Sequence, residues 1–280
     1  MTKRLMVQGT SSGAGKTTLV TALCRIFSNL GYSVAPFKSQ NMSSYSYIGN
    51  DFEISRAQAI QAIAARTEIE PEMNPILLKP IGNYRSEVYI NGKFYKKMHA
   101  KEYYQKFALK QGMLTSKKAL DYLMRKYDLV ILEGAGSPAE INLLKYDIAN
   151  MRMAEYSKSP VLLVSDIDKG GTFASILGTL FLLDKKHQNL IKGFVINKFR
   201  GDVDILKPSY LMLKKITSKP VLGTIPLVKL NIPEEDSLHS KPKHVSWTNK
   251  YMQSLDKEIE KLSKIVKNNI DMKKIGGMIN

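Results

Sequence analysis

Residues 4–19 read Arg4-Leu5-Met6-Val7-Gln8-Gly9-Thr10-Ser11-Ser12-Gly13-Ala14-Gly15-Lys16-Thr17-Thr18-Leu19. Leu5 to Gln8 is a short apolar run that predicts a strand. Thr17 to Leu30 sets Leu19, Leu23, Ile26, Phe27 and Leu30 at near-helical spacing, with Gly31 as its stop. Between strand and helix lies a glycine-rich loop. Backbone N–H groups in such a loop point inward and the helix N-terminus adds positive potential, so the segment is suited to phosphate. Gly13, Ala14, Gly15, Lys16, Thr17 and Thr18 are the expected nucleotide-binding residues. Lys16 is expected to reach the β- and γ-phosphates of ATP, and the Thr17 hydroxyl to hold Mg²⁺. In the strict motif four residues separate the first glycine from the Gly-Lys pair. Here Thr10 holds that place and Gly9 lies one residue further out.

Outward from the loop, short apolar runs alternate with helical stretches. Strands are predicted at Val34–Phe37, Leu129–Leu132, Val161–Val164, Gly193–Ile196 and Val221–Ile225. Helices are predicted at Glu53–Arg66, from about His99 to Lys126, and at Thr172–Leu183 and Leu206–Thr217. The strands lack polar alternation, which argues a mostly parallel sheet covered by helices on both faces, an α/β fold of the P-loop NTPase type. Met73–Met98 breaks the rhythm. Its Asn-Pro, Lys-Pro and Gly-Asn steps, and a hairpin over Glu87–Tyr95 turning at Asn91-Gly92, mark an insertion or edge extension. Leu227–His244 reads as a linker, and Thr248–Asn269 as one amphipathic helix with Leu255, Ile259, Leu262 and Val266 on its apolar face.

Polar residues cluster just after the strands, the edge at which open α/β sheets bind ligands. Glu133 ends an apolar strand and is placed to hold Mg²⁺. Glu53 is either a second acid on the metal side or a favourable charge in a first helical turn. Lys38 ends the second strand, where a lysine neutralises charge on a transferring phosphoryl group; Lys16, Lys38 and Glu133 form the expected catalytic set. Gln40 and Asn41 follow, as substrate contacts or turn caps. Asp166, Asp168, Lys169, Gly170 and Gly171 suggest a second oxyanion or carboxylate site. Asn197 either reads the adenine edge or caps a turn.

Composition narrows the class. Apolar residues make up 44% of the 280, enough for a sizeable core and too many for a disordered chain. One cysteine, Cys24, excludes a disulfide scaffold and a multi-cysteine zinc site, and the four histidines lack ligand spacing. No apolar run reaches the ~18 residues of a membrane span, and no signal peptide precedes the first strand, so a cytoplasmic protein is expected. The net charge of +17 admits nucleic acid, an acidic membrane surface or a polyanionic small substrate, but the lysines are scattered as on a solvated surface. Neither zinc-finger spacing nor an aromatic RNA-binding pattern accompanies them.

Several long motifs resemble one family. The loop itself looks like the dethiobiotin-synthetase type. Phe37–Ser43, Glu53–Ala59, Met73–Pro80, Glu133–Leu143, Asp166–Ser175, Gly193–Gly201 and Pro233–Leu238 are similar to cobyric acid synthase, over residue 4 to about 238. The resemblance implies a dethiobiotin-synthetase-like fold. It also implies amidation of the b, d, e and g carboxylates of adenosylcobyrinic acid a,c-diamide, a corrinoid, with ATP, Mg²⁺ and ammonia drawn from glutamine. Within it, Lys16, Thr17, Lys38 and Glu133 take the phosphate and metal roles, Asn197 the adenine contact, and Lys79, in Lys79-Pro80, joins the substrate residues. A homodimer is an expectation of the family alone.

The family usually carries a glutaminase domain with a cysteine nucleophile. Cys24 sits inside a helix instead, and few residues follow Leu238. Residues 1–238 are therefore expected to be the synthetase domain. Residues 239–280 read as linker and a tail like the one that follows the glutaminase, with ammonia taken free or from a separate glutaminase subunit. Two alternatives fit the residues less well. A ParA/MinD-like ATPase binding DNA would carry a second lysine early in the loop, where Ser11 stands. A non-catalytic descendant would not need Lys16, Thr17, Lys38 and Glu133 intact.

Overall fold

Along the central strands, successive side chains are buried on opposite faces: Leu5 and Val7 in one core and Met6 in the other, Leu129 and Ile131 against Val130 and Leu132. Only a sheet covered on both sides buries both sets. The computed structural model describes residues 2–233 and 245–279. Its central strands are β1 (Lys3–Gly9), β2 (Val34–Phe37), β9 (Leu129–Glu133), β10 (Val161–Asp166), β11 (Ile191–Phe199) and β12 (Val221–Pro226). They run in the order β12-β11-β10-β1-β9-β2, all pairings parallel. The expected parallel α/β sheet is present.

On one face lie α1 (Lys16–Asn29) and α2 (Arg56–Ala65), joined by α9 (Asn249–Asn269) and α10 (Met272–Met278). On the other lie α4 (Met113–Lys126), α5 (Met151–Ser157), α6 (Thr172–Leu182) and α8 (Lys207–Thr217). A short α7 (Lys185–Leu190) leads into β11. The helix expected from His99 is continuous but changes pitch, from α3 (Ala100–Glu102) through a π-helical stretch, Tyr103–Gly112, into α4.

The irregular region is a second sheet. β3 (Gln40–Met42), β6 (Ile76–Gly82), β7 (Arg85–Ile90) and β8 (Lys93–His99) pair in the order β3-β6-β7-β8, with the Asn91-Gly92 turn as predicted. A hairpin of β4 (Ser46–Ile48) and β5 (Glu53–Ser55) corrects the reading of Glu53 as the start of a helix. Glu53 pairs with Ile48, and the helix begins at Arg56, capped by Ser55, whose side chain accepts from Ala57 N–H. A serine oxygen satisfies an orphan N–H that glutamate two residues earlier leaves unmet. Of the expected linker, residues 234–244 lie outside the described residues, as do His239, His244 and the motif after Pro233.

The C-terminal amphipathic helix packs into the α1 core through Leu255, Ile259, Leu262 and Val266. Arg25, fully buried on α1, donates to Asp256 and Glu260 of α9 and to the Ala64 carbonyl at 2.8 Å. On the opposite flank Glu70 accepts from Tyr122, Lys126 and Tyr127, fastening the chain ahead of Met73, whose carbonyl accepts from Lys38 N–H. Burial pushes the Glu70 pKa up, but hydrogen bonds from Lys126, Tyr127 and Tyr122 outweigh it and leave the carboxyl below its ordinary value.

Ile259→Ala removes a fully buried side chain between α9 and α1 and should cost about 2–5 kcal/mol in urea unfolding, against less than about 0.5 for exposed Lys261→Ala. Because the Glu70 pKa is lowered on folding, its stabilisation is present above the ordinary carboxylate range and lost as pH falls through the folded value. Glu70→Gln should thus be less stable than the parent at neutral pH, and the gap should close as pH falls below the ordinary carboxylate range and through the lower folded value, read from unfolding curves across pH.

Candidate active site

The glycine loop leaves β1 and enters α1 without a side chain capping the helix, so its first N–H groups face the loop. Gly15 stands at φ +101°, and a Cβ there would lie 1.8 Å from Asn197 Nδ2. Glycine is required on both counts. Asn197 donates to the Ala14 carbonyl at 3.0 Å, and Lys198 Nζ to the Gly13 carbonyl at 2.8 Å. Lys16 Nζ donates to the Ser11 carbonyl at 3.0 Å and to the Gly136 carbonyl at 2.8 Å, tying the loop to the turn after β9. Thr18 is exposed.

Glu133 is the centre of the site. It is 1% exposed, and its Oε1 accepts from Thr17 Oγ1 at 2.7 Å and from Lys38 Nζ at 2.9 Å. Its Oε2 accepts from Gln61 Nε2 at 2.6 Å. Lys38 is itself buried, so the pair is shielded from water and much stronger than a surface ion pair. The sequence-predicted Lys16, Thr17, Lys38 and Glu133 are brought together at one sheet edge. Thr17 and Glu133 offer hard oxygen donors side by side, the ligand type Mg²⁺ prefers when it shares a site with phosphate oxygens.

Other predicted residues are placed elsewhere. Glu53 takes donors from Ser46 and Lys79, away from the hydrogen bonds of Glu133, and among the described residues no cluster of three or more His, Cys, Asp or Glu could hold a metal. Lys79, a substrate candidate, is Glu53's ion partner and lies 5.5 Å from the Tyr89 ring. Gln40 accepts from the Tyr103 hydroxyl at 2.7 Å. Asn41 is buried and donates to Ser55 Oγ at 2.7 Å and Gln58 Oε1 at 2.9 Å. Asp166 pairs with Lys198 at 2.8 Å and accepts from Asp168 N–H; Asp168 pairs with Arg200 at 2.9 Å. Lys169, Gly170 and Gly171 are exposed ahead of α6. Asn197 faces the phosphate loop. Cys24 is fully buried, and burial, with the Glu133 charge adding, pushes its thiol well above the ordinary range, unsuited to a nucleophile. His187 lies half-buried between Glu155 and Asp184, and His99 is exposed.

Sequence reasoning missed Gln61, Asn74 and Asn150. Asn150 brackets the turn after Glu133, donating to the Ala135 carbonyl at 2.7 Å and accepting from its N–H at 3.1 Å. A Cβ on Gly134 would fall 2.3 Å from Asn150 Oδ1, which explains the glycine. Asn74 donates to the Lys38 carbonyl at 3.1 Å. The available signal was a helix whose alanines leave Gln58 and Gln61 as its only long polar side chains between Arg56 and Arg66.

A parallel sheet with a phosphate loop after its first strand, a buried acid at the end of β9 and a paired lysine after β2 defines a P-loop nucleotide-binding domain. Residues 5–238 match the CobQ/CobB/MinD/ParA nucleotide binding domain, and the chain belongs to that family. It is 56% identical over 245 residues to a probable cobyric acid synthase of Thermococcus onnurineus, covering 87% of this chain and 50% of that protein. It is 54% identical over 237 residues to the cobyric acid synthase of Caldanaerobacter subterraneus, covering 84% and 46%. It is 50% identical over 268 residues to a probable cobyric acid synthase of Methanococcus maripaludis, covering 95% and 54%. These relatives bear out the resemblance seen in the motifs. The chain spans about half the length of the curated relatives it matches.

Lys38→Met leaves Glu133 buried without its cation and should destabilise the protein by about 3–5 kcal/mol. Adding Glu133→Gln should recover part of that loss, and a double-mutant cycle by urea unfolding measures the coupling.

Proposed function

We propose that this chain carries the ATP-dependent step of cobyric acid synthesis: activation of peripheral corrinoid carboxylates for conversion to amides. The observation that carries the reading is the Thr17–Glu133–Lys38 constellation beside Lys16, in a chain about half identical to cobyric acid synthases. The substrate is adenosylcobyrinic acid a,c-diamide, amidated at b, d, e and g.

A substrate carboxylate oxygen attacks the γ-phosphorus of ATP in line, the bond to the β–γ bridging oxygen breaks, and ADP leaves. Ammonia then attacks the acyl-phosphate carbonyl, loses a proton, and inorganic phosphate departs with the carbonyl–oxygen bond. Lys16 and Lys38 offset charge gathering on the phosphoryl oxygens, and loop N–H groups orient the phosphates. Lys16 exchanges the Ser11 and Gly136 carbonyls for phosphate oxygens when nucleotide binds. Thr17 and Glu133 would hold Mg²⁺, which supplies further neutralisation of phosphate charge. Asn197, already against the loop, is the candidate contact for the adenosine portion. Gly170 and Gly171, exposed beside Asp166, Asp168 and Lys169, and Gln40 and Lys79 on the second sheet, are the candidate corrinoid contacts. The ammonia is either free or released by a glutaminase active site, a role to which Cys24 is unsuited.

The test is mass spectrometry of the a,c-diamide incubated with the chain, MgATP and ammonium. Each amidation replaces OH by NH₂ and lowers the mass by about one dalton, with ADP formed in step. Up to four such losses are expected with the parent and none with Lys16→Ala. ADP release stimulated by the corrinoid without any mass change would refute amidation.

A further inference from the structure

Glu133 takes part in a closed ring of buried hydrogen bonds. One arm runs outward from Oε2: Gln61 Nε2 donates to it at 2.6 Å, Gln58 Nε2 donates to Gln61 Oε1 at 3.3 Å, and Asn41 Nδ2 donates to Gln58 Oε1 at 2.9 Å. Asn41 also donates to Ser55 Oγ, and Ser55 N–H donates to Asn74 Oδ1 at 3.1 Å. The other arm returns from Asn74 Nδ2 to the Lys38 carbonyl, and Lys38 Nζ closes on Glu133 Oε1. Every member is 3% exposed or less.

The direction of the first arm is what matters. Asn41, Gln58 and Gln61 each turn an amide N–H₂ toward the next oxygen and so toward the carboxylate. Aligned donors polarise one another, and an anion at the end of the row gains most from that alignment. Oε1 is the oxygen that meets Thr17 and Lys38. Oε2 is fastened to Gln61, so the carboxylate cannot rotate without breaking a short, buried, charge-assisted bond.

We propose that Gln61 is the positioning residue of this site: it pins Oε2 so that Oε1 stays presented to Thr17, the lysine and the metal, with Gln58 and Asn41 holding Gln61 in turn. The ring also ties β3 of the second sheet and β5 of the β4–β5 hairpin to the acid at the phosphate end. This rests on Glu133 being the acid on the metal side of the nucleotide. Partners that orient a metal ligand without touching the metal typically change metal affinity or activity by about 10–100-fold when removed.

The experiment titrates Mg²⁺ against the binding of a fluorescent ATP analogue, with no corrinoid present. In Gln61→Leu the half-saturating Mg²⁺ concentration should rise by roughly 10-fold or more, while affinity for the analogue in EDTA stays that of the parent. A purely structural loss would lower both affinities together and leave the Mg²⁺ midpoint in place, and that result overturns the proposal. If Gln61→Leu does not fold, Gln58→Met carries the test, since it keeps the Gln61–Glu133 bond and removes its support. A raised midpoint supports the proposal, and an unchanged one overturns it. A parent chain that makes no amide but shows the shift refutes the amidation reading and leaves the positioning role standing. A chain that amidates with an unshifted Gln61→Leu midpoint does the reverse.

Discussion

A carboxylate taken out of water must be met by donors or it costs several kcal/mol, and Glu133 is met from three directions. Thr17 comes from the first turn of α1, Lys38 from the end of β2 and Gln61 from α2. These segments are distant in sequence, and no single one would satisfy the group alone. The need to offset one buried charge therefore fixes how α1, α2 and the end of β2 sit around β9. It also explains why Lys38 is buried: an ammonium without the carboxylate would carry the same penalty.

Parallel pairing then decides what else reaches the site. All six central strands end at the same edge, so the segments after β1, β2, β9, β10 and β11 converge there. β1 lies between β9 and β10, which sets the phosphate loop between Glu133 on one side and Asp166 on the other. Asn197 and Lys198, one strand further, reach back to the loop's carbonyls at Ala14 and Gly13. The loop is thus held by side chains that bond its carbonyls. Lys198 adopts φ +60° to do this, a conformation uncommon for a residue with a Cβ and tolerated where surrounding bonds enforce it.

The strands, the glycine loop and the Lys16–Thr17–Lys38–Glu133 grouping were legible in the sequence because each follows from local rules: an apolar run, a polar residue at its end, a helix after. Glu53 misled for the same reason. A glutamate ahead of an alanine-rich helix looks like a first-turn charge, but Ser55 is the better cap and the residues before it pair as a hairpin. Gln61, Asn74 and Asn150 were not legible, since an amide's role depends on which buried group lies opposite it, and that is set by tertiary contacts. Asn197 shows a similar limit: its strand-end position was evident, while its turn toward Gly15 depends on the adjoining loop.

The position of α9 bears on how the nucleotide site is organised. α1 packs against the sheet, and α9, which also touches β12, packs against α1 and adds Leu255, Ile259 and Leu262 to the same core. Arg25, with no exposed surface, has its charge met largely by Asp256 and Glu260 of α9. Without those acids a guanidinium inside the core would carry an uncompensated charge, so α1 and α9 depend on each other electrostatically as well as by packing. The helix whose N-terminus adjoins the phosphate loop is thus held by the sheet, by α2 and by α9. A site held in that way spends little of the phosphate-binding energy on ordering itself.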